Sequence, residues 1–354
     1  MIQKDCFTKE WIEQVKSDLN YPDINLIEKV IRAFSLVEML TLSGCPYIWK
    51  GGSSLMLLLA PRRNRLSIDV DIICPPGTEI EKYLTSYKDF GFTESETKDR
   101  EQPGTDIPKS HQKLHYKVAY LSNSDRKESI LLDVLYEDAQ YEKVETLKVE
   151  SPFIRLDGDP LTVQIPSIND ILGDKLTAFA PNTTGIPYFK HGNSMNMEIN
   201  KQLYDVACLF DLFDDLNAVR NTFEKIAGKE LSYREDDNIT TRDVLDDIFQ
   251  TSLCISTRGM LGEGMFDELM AGIKRVNGFI FSEPYQIDKA IVCASKAAYL
   301  SALIKSGASE FERFGDSSQI KDWQIEQTEY NKLNKLKKTS AEAFFYWYKA
   351  CLMR

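Results

Sequence analysis

Lys50-Gly51-Gly52-Ser53-Ser54-Leu55, followed by Arg65-Leu66-Ser67-Ile68-Asp69-Val70-Asp71-Ile72-Ile73-Cys74, is the stretch on which the reading of this chain turns. Tyr47 to Trp49 reads as a short strand running into the glycine pair, and Ser53 to Leu59 as the start of a helix. Leu66 to Cys74 alternates apolar and polar residues, as a half-buried strand does, until Pro75, Pro76 and Gly77 end it. Strand residues i and i+2 share a face, so Asp69 and Asp71 are expected side by side, with Ile68, Val70 and Ile72 turned to a core. Neighbouring carboxylates repel unless a cation sits between them, and Mg2+ is commonly held by a few carboxylates together with substrate phosphates. The glycine turn serves the phosphate end. Its N–H groups can approach an anion closely, and the following helix N-terminus adds a positive end. Lys50, Gly51, Gly52, Ser53, Arg65 and Ser67 are therefore candidate nucleotide contacts, and Asp69 and Asp71 candidate metal ligands.

Outward from this stretch, Glu79 to Tyr87 reads as a helix, and Leu114 to Leu121 and Ser129 to Tyr136 as two more strands. Asp133 interrupts the apolar run of the second. It can join Asp69 and Asp71 as a third carboxylate on an adjacent strand, or it can be an edge aspartate facing water. His111 and His115 are four apart, but His115 enters a strand pattern, so both read as structural or solvent-facing rather than as ligands. A β-rich stretch follows from Lys143 to Ile165. From Ser167, where Ser167-x-x-Asp170 has the form of a capping box, nearly everything reads helical: Ile171 to Ala180, Glu198 to Leu216, Ala218 to Gly228, Thr241 to Ser256, Met265 to Val276, Tyr285 to Lys305, and an aromatic-rich Thr339 to Met353. A helical lead, Thr8 to Leu42, precedes the first strand. The expected fold is α+β, with a mixed sheet flanked by helices in residues 1–166 and a helical bundle in residues 167–354.

The glycine–serine turn, the DxD strand and the later strand aspartate together resemble the DNA polymerase β-type nucleotidyltransferases. More narrowly, the wording of Lys50 to Leu55 and Arg65 to Ile72 resembles the AbiEii/AbiGii toxin family of type IV-like toxin–antitoxin systems. That family also has a KLxA signature and a later basic-x-x-x-Asp helix. Lys175-Leu176-Thr177-Ala178 and Lys201-Gln202-Leu203-Tyr204-Asp205 match these. The resemblance spans about residues 48–211. Between the two late motifs the family usually has a short arginine-bearing link, where this chain has Pro181 to Asn196 with Lys190 and His191 and no arginine. The resemblance implies transfer of NMP from an NTP to an acceptor hydroxyl, with two Mg2+ ions held by Asp69, Asp71 and Asp133. It adds Lys175, Lys201 and Asp205 as nucleotide contacts, an RNA such as a tRNA end as acceptor, growth arrest as outcome, and a separately encoded antitoxin. Without it, Lys175 reads as a snorkelling surface lysine and Lys201 with Asp205 as a helix-surface ion pair.

Composition bounds these expectations. Among 354 residues, 54 Asp and Glu against 43 Lys and Arg give a net charge of −11, which lacks the basic footprint of a non-specific nucleic-acid binder. Two basic patches, Arg62-Arg63-Arg65 and Lys332 to Lys338, read as solvated faces. No apolar run approaches the roughly 18–20 residues that span a bilayer, and no secretory signal is evident. Seven scattered cysteines without a CxxC pair fit reduced thiols in a cytoplasmic protein. The acidic composition equally suits a cationic small-molecule acceptor of the aminoglycoside kind, and a protein acceptor or a non-catalytic nucleotide- or partner-binding module remain alternatives.

Overall fold

The computed structural model describes residues 1–21, 23–60, 65–98, 109–119, 127–234 and 238–354. Arg62 and Arg63 lie outside the described residues. The chain divides into two compact units, Met1–Ser167 with Phe279–Glu283, and Ile168–Gly278 with Pro284–Arg354. The sequence reading, which divides the chain once near residue 167, does not anticipate the short Phe279–Glu283 segment of the first unit.

The first unit begins with α1 (Lys9–Asp18) and α2 (Ile24–Leu42). Thr8 caps α1 by accepting from the Trp11 N–H, and Asp23 caps α2 by accepting from the N–H groups of Asn25 and Leu26, which satisfies donors a helix start leaves open. Helix α2 is buried on nearly every side, so its charged residues must find partners. Glu28 accepts from the Ala119 N–H at 3.0 Å, Arg32 donates to the Gly91 carbonyl at 3.0 Å, and Glu38 accepts from the Ile2 N–H at 2.7 Å. Burial pushes the carboxyls of Glu28 and Glu38 up and the Arg32 guanidinium down.

Five strands form a mixed sheet: β1 (Ile48–Lys50), β2 (Val70–Cys74), β3 (Glu94–Lys98), β4 (Lys109–Lys117) and β5 (Lys127–Tyr136), in the spatial order β1-β2-β5-β4-β3. Only β2 and β5 run parallel; the other neighbours are antiparallel. Helix α3 (Gly51–Leu58) joins β1 to the chain leading into β2. Val70, Ile72, Leu132, Val134 and Leu114 project from alternate strand positions into the core against α2. Each such side chain contributes roughly 1.5–3 kcal/mol by leaving water. Trp49 and Phe34 meet edge-to-face at 6.3 Å in the same core. A separate hairpin of β6 (Val144–Lys148) and β7 (Thr162–Pro166) accounts for the β-rich stretch.

Two sequence expectations need correction. Glu79 to Tyr87 forms two short 3-10 turns, Ile80–Tyr83 and Tyr87–Phe90, rather than a helix. Ser35 of α2 takes the Phe90 carbonyl at 2.9 Å and Arg32 takes that of Gly91, so these carbonyls are held from outside the segment. The strand expected from Leu66 begins only at Val70. Upstream, the Leu66 N–H donates to the Phe279 carbonyl at 2.7 Å and Arg65 bridges to Ile280.

The second unit is helical: α4 (Ile168–Ala178), α5 (Asn196–Phe210), α6 (Leu216–Ser232), α7 (Thr241–Ser256), α8 (Phe266–Val276), α9 (Ile287–Ser306), α10 (Leu336–Thr339) and α11 (Ala341–Cys351). Helix α9 is central. Its small residues Ala290, Ala294, Ala297, Ala298 and Ser301 are buried, and it packs on α5, α7 and α11. Lys296, almost fully buried on α9, is neutralised by Asp211 at 2.6 Å and Glu342 at 2.9 Å. Phe344, Phe345, Tyr346 and Trp347 of α11 are core, and the Trp347 indole donates to Ser256. The loop after α4 closes into a hairpin of β8 (Phe189–Lys190) and β9 (Asn193–Ser194), with His191 and Gly192 both at positive φ in the two-residue turn. The whole is α+β, a five-stranded mixed sheet and small hairpins followed by a helical region. All seven cysteines are free and buried. Among the described residues no helix is long and apolar enough to cross a membrane.

Candidate active site

Gly51 turns the chain from β1 into α3 with φ at +79°, a conformation that favours glycine. A Cβ at this position would run into the Asp71 carboxylate, so the carboxylate lies directly against the turn. Gly52 leaves room of a different kind. A Cβ there would stand 2.6 Å from Ser67 Oγ and 2.8 Å from Arg65 Nη2. The bend therefore gathers a hydroxyl and a guanidinium at Gly52 and a carboxylate at Gly51. Arg65 is buried and also donates to the Leu66 carbonyl at 3.3 Å. The two serines face inward. Ser53 Oγ accepts from the Trp49 indole at 3.1 Å, and Ser54 donates to the Gly51 carbonyl at 3.0 Å, pinning the turn from within.

Strand pairing then sets a row of chemistry-bearing residues across the sheet. Lys50 is the register partner of Asp71, Asp71 of Asp133, and Asp133 of His111. Directly opposed residues on neighbouring strands point to the same face, with strands about 4.8 Å apart. The core face is taken by Val70, Ile72, Leu132 and Val134, so Asp71, Asp133 and His111 share the other. Asp133 Oδ1 is hydrogen-bonded to His111 Nδ1. The Asp133 side chain is 35 % exposed and that of His111 11 %, so the carboxylate can be reached from solvent while the imidazole is enclosed. Asp69 is placed differently from the expectation. It precedes β2 and is exposed, whereas Asp71 is half-buried in the strand.

Among the described residues, no group of three or more His, Cys, Asp or Glu side chains is placed to hold a metal ion by itself. Asp71 and Asp133 supply two carboxylates from adjacent register positions. These hard oxygen donors fit Mg2+, which usually completes its shell with water and substrate phosphate.

In the second unit Lys175 of α4 pairs with Asp205 of α5 at 3.1 Å and donates to Gln202 Oε1 at 3.0 Å. Asp205 is 2 % exposed and Lys175 11 %, which makes this a buried cross-helix pair rather than a snorkelling lysine. Lys201 reaches back to Glu198 at 3.8 Å. The loop Pro181 to Asn196, which has no arginine of its own, receives one from beyond α6: Arg234 donates to the Gly185 carbonyl at 3.0 Å and also to that of Thr184. His111, which the sequence alone reads as structural or solvent-facing, joins this row beside Asp133. Its only signal was position, in a strand whose register with Asp133 no local pattern reveals.

No curated protein matches the sequence. Among solved structures the chain is similar to JHP933 from Helicobacter pylori, with a TM-score of 0.39 and 14% identity over 80% of this chain and 90% of that one. It is also similar to a candidate nucleotidyltransferase from the same organism, with a TM-score of 0.39 and 15% identity over 82% and 96%. A family model described as the nucleotidyl transferase AbiEii toxin of type IV toxin–antitoxin systems matches residues 39–273, a span that begins in α2 and takes in the turn, the carboxylate row and the Lys175–Asp205 pair. On that match the chain belongs to the AbiEii family of nucleotidyltransferase toxins.

Proposed function

We propose that this nucleotidyltransferase moves an NMP group from an NTP to an acceptor hydroxyl, with the Asp71–Asp133 face of the sheet as the reaction centre. The observation that carries this reading is the contact of the Asp71 carboxylate with the Gly51 turn, next to Arg65 and Ser67 at Gly52. A site for nucleotidyl transfer needs cation-binding carboxylates and phosphate-binding donors within one triphosphate's reach. The Asp71 carboxylate at this bend, beside the Ser67 hydroxyl and the Arg65 guanidinium, supports that reading. The Gly52 N–H, the Ser67 hydroxyl and the Arg65 guanidinium would hold phosphate oxygens, with Lys50 across from Asp71 to balance charge. Ser53 acts indirectly by holding Trp49 and the turn. Asp71 and Asp133, with Asp69 at the strand entrance, would hold one or two Mg2+ ions. Bound there, such ions stabilise the attacking and leaving oxygens of an in-line displacement. Asp133, the solvent-reachable partner of His111, is assigned to the acceptor side, where it would orient the attacking hydroxyl.

Lys175, Lys201 and Asp205 are proposed as nucleotide contacts, Lys175 as the cation for the departing pyrophosphate. The family implies an NTP substrate and an antitoxin. An RNA acceptor such as a tRNA end and action in the cytoplasm are our extension of that membership. The test is transfer of label from each α-labelled NTP to total RNA in Mg2+, repeated with Asp71→Ala and Asp133→Ala. Label transfer that persists at wild-type rate in Asp71→Ala would remove the site assignment, and label appearing only on small molecules or protein would replace the acceptor.

A further inference from the structure

The imidazole of His111 is committed to Asp133. The two residues are register partners on antiparallel β4 and β5, and the ring offers Nδ1 to Asp133 Oδ1. Its other nitrogen, Nε2, is buried and has no hydrogen-bond partner among the described residues. Asp133 is an acceptor when ionised, so Nδ1 is the nitrogen that donates in this contact. The ring thus has one polar bond, and that bond points at one oxygen of one carboxylate. Asp133 stands between two neighbours in the row, Asp71 on β2 and His111 on β4. With Oδ1 taken by the imidazole, Oδ2 is the oxygen left for a cation or an acceptor hydroxyl.

We infer that His111 is a positioning residue of the active site: by donating Nδ1–H to Asp133 Oδ1 it fixes the carboxylate's rotation, presenting Oδ2 on the face shared with Asp71 and helping the pair hold a divalent cation. The inference rests on the reading of Asp71 and Asp133 as cation ligands. A carboxylate hung on a strand rotates freely about its last bond, and an outer hydrogen bond removes that freedom. Loss of such partners typically costs about 10- to 100-fold in metal affinity or activity. The enclosure of the ring matters as well, since a donor shielded from water does not exchange its carboxylate for solvent.

The test uses Mn2+ as probe, with free Mn2+ read by electron paramagnetic resonance on the full chain in the presence of a non-hydrolysable NTP analogue. Variants are His111→Leu, His111→Gln, His111→Asn, Asp71→Ala and Asp133→Ala, each checked for folding by circular dichroism. His111→Leu removes the donor, and His111→Gln moves its amide out toward the Nε2 position. Both are expected to weaken Mn2+ binding by about 10- to 100-fold. His111→Asn keeps an N–H where Nδ1 stood and is expected to return binding close to wild type. A structural role alone would rank the variants by packing, with leucine and glutamine filling the space better than asparagine. Should His111→Leu misfold, the contrast between Asn and Gln still decides. Wild-type Mn2+ affinity in His111→Gln, with binding lost in Asp133→Ala, overturns the inference and leaves the site intact. Wild-type affinity in both aspartate variants overturns the site reading, and this inference with it.

Discussion

Replacing Gly51 by alanine would ask an L residue to hold a φ of +79° and would drive a methyl group into the Asp71 carboxylate. The variant is expected to lose more than about 1 kcal/mol of stability from the backbone alone, measured by urea denaturation. Nucleotidyl transfer should fall further than stability accounts for, by about 100-fold, because a reacting group displaced by an ångström can cost that much. Gly52→Ala meets side-chain tips instead, Ser67 Oγ and Arg65 Nη2. It is expected to raise the KM for NTP with a smaller change in kcat. At this scale much was legible. The Gly-Gly bend and Asp71 could be read from the sequence because a turn followed by an alternating strand is a local pattern. His111 could not, because its partner lies 22 residues away on another strand, and alternation within each strand does not give the register between them.

Between elements, the buried Lys175–Asp205 pair ties α4 to α5. Removing one partner strands a charge in a region closed to water, so Asp205→Leu or Lys175→Met alone is expected to cost about 3–5 kcal/mol. The double variant should recover a large part of that loss, and a double-mutant cycle in urea would read the coupling. Asp247 on α7 anchors the start of the loop after α4 with four bonds, from the Asn182 N–H at 2.8 Å, Asn182 Nδ2 at 2.7 Å, Thr183 at 2.9 Å and Thr251 at 3.1 Å. Burial outweighs those bonds and raises its carboxyl above the ordinary value of 3.8. The folded chain therefore holds this proton more tightly than the unfolded one, and stability from this group falls as pH rises through the raised value. Wild type should gain on Asp247→Asn as pH is lowered toward 3.8, on top of a constant offset from the acceptor lost in the amide. Urea midpoints of the two proteins across pH would show a converging or diverging pair of curves, and parallel curves would refute the assignment. Helix periodicity located α6 to α9 and α11 to within four residues, whereas α5 ends at Phe210, six residues short of the expected Leu216. The start of β2 was misjudged because Leu66 has its partner at Phe279, and alternation along one segment says nothing of where its hydrogen bonds go.

Across the whole molecule, the sequence reading divides the chain once, whereas Phe279–Glu283 belongs with the first unit. Phe281 packs edge-to-face on Tyr21 at 6.2 Å and on Phe153 at 6.4 Å, and Phe279 accepts from the Leu66 N–H. A fragment of residues 1–167 lacks all of these contacts. It is expected to bind a hydrophobic dye and to lose near-ultraviolet ellipticity, while the full chain does neither. A fragment as stable to urea as the first transition of the full chain would show the segment to be dispensable. Composition could not have foretold this return, because five residues carry too few apolar positions to announce their destination.

That return also sets an order of events at the ribosome. Chains are made from the N-terminus at about 5–20 residues per second and domains usually fold as they emerge, yet here Phe279–Glu283 of the first unit is translated only after Ile168–Gly278 of the second. A nascent or prematurely terminated polypeptide stopped short of Phe279 is therefore expected to lack transfer activity, which truncated chains assayed with labelled NTP would check.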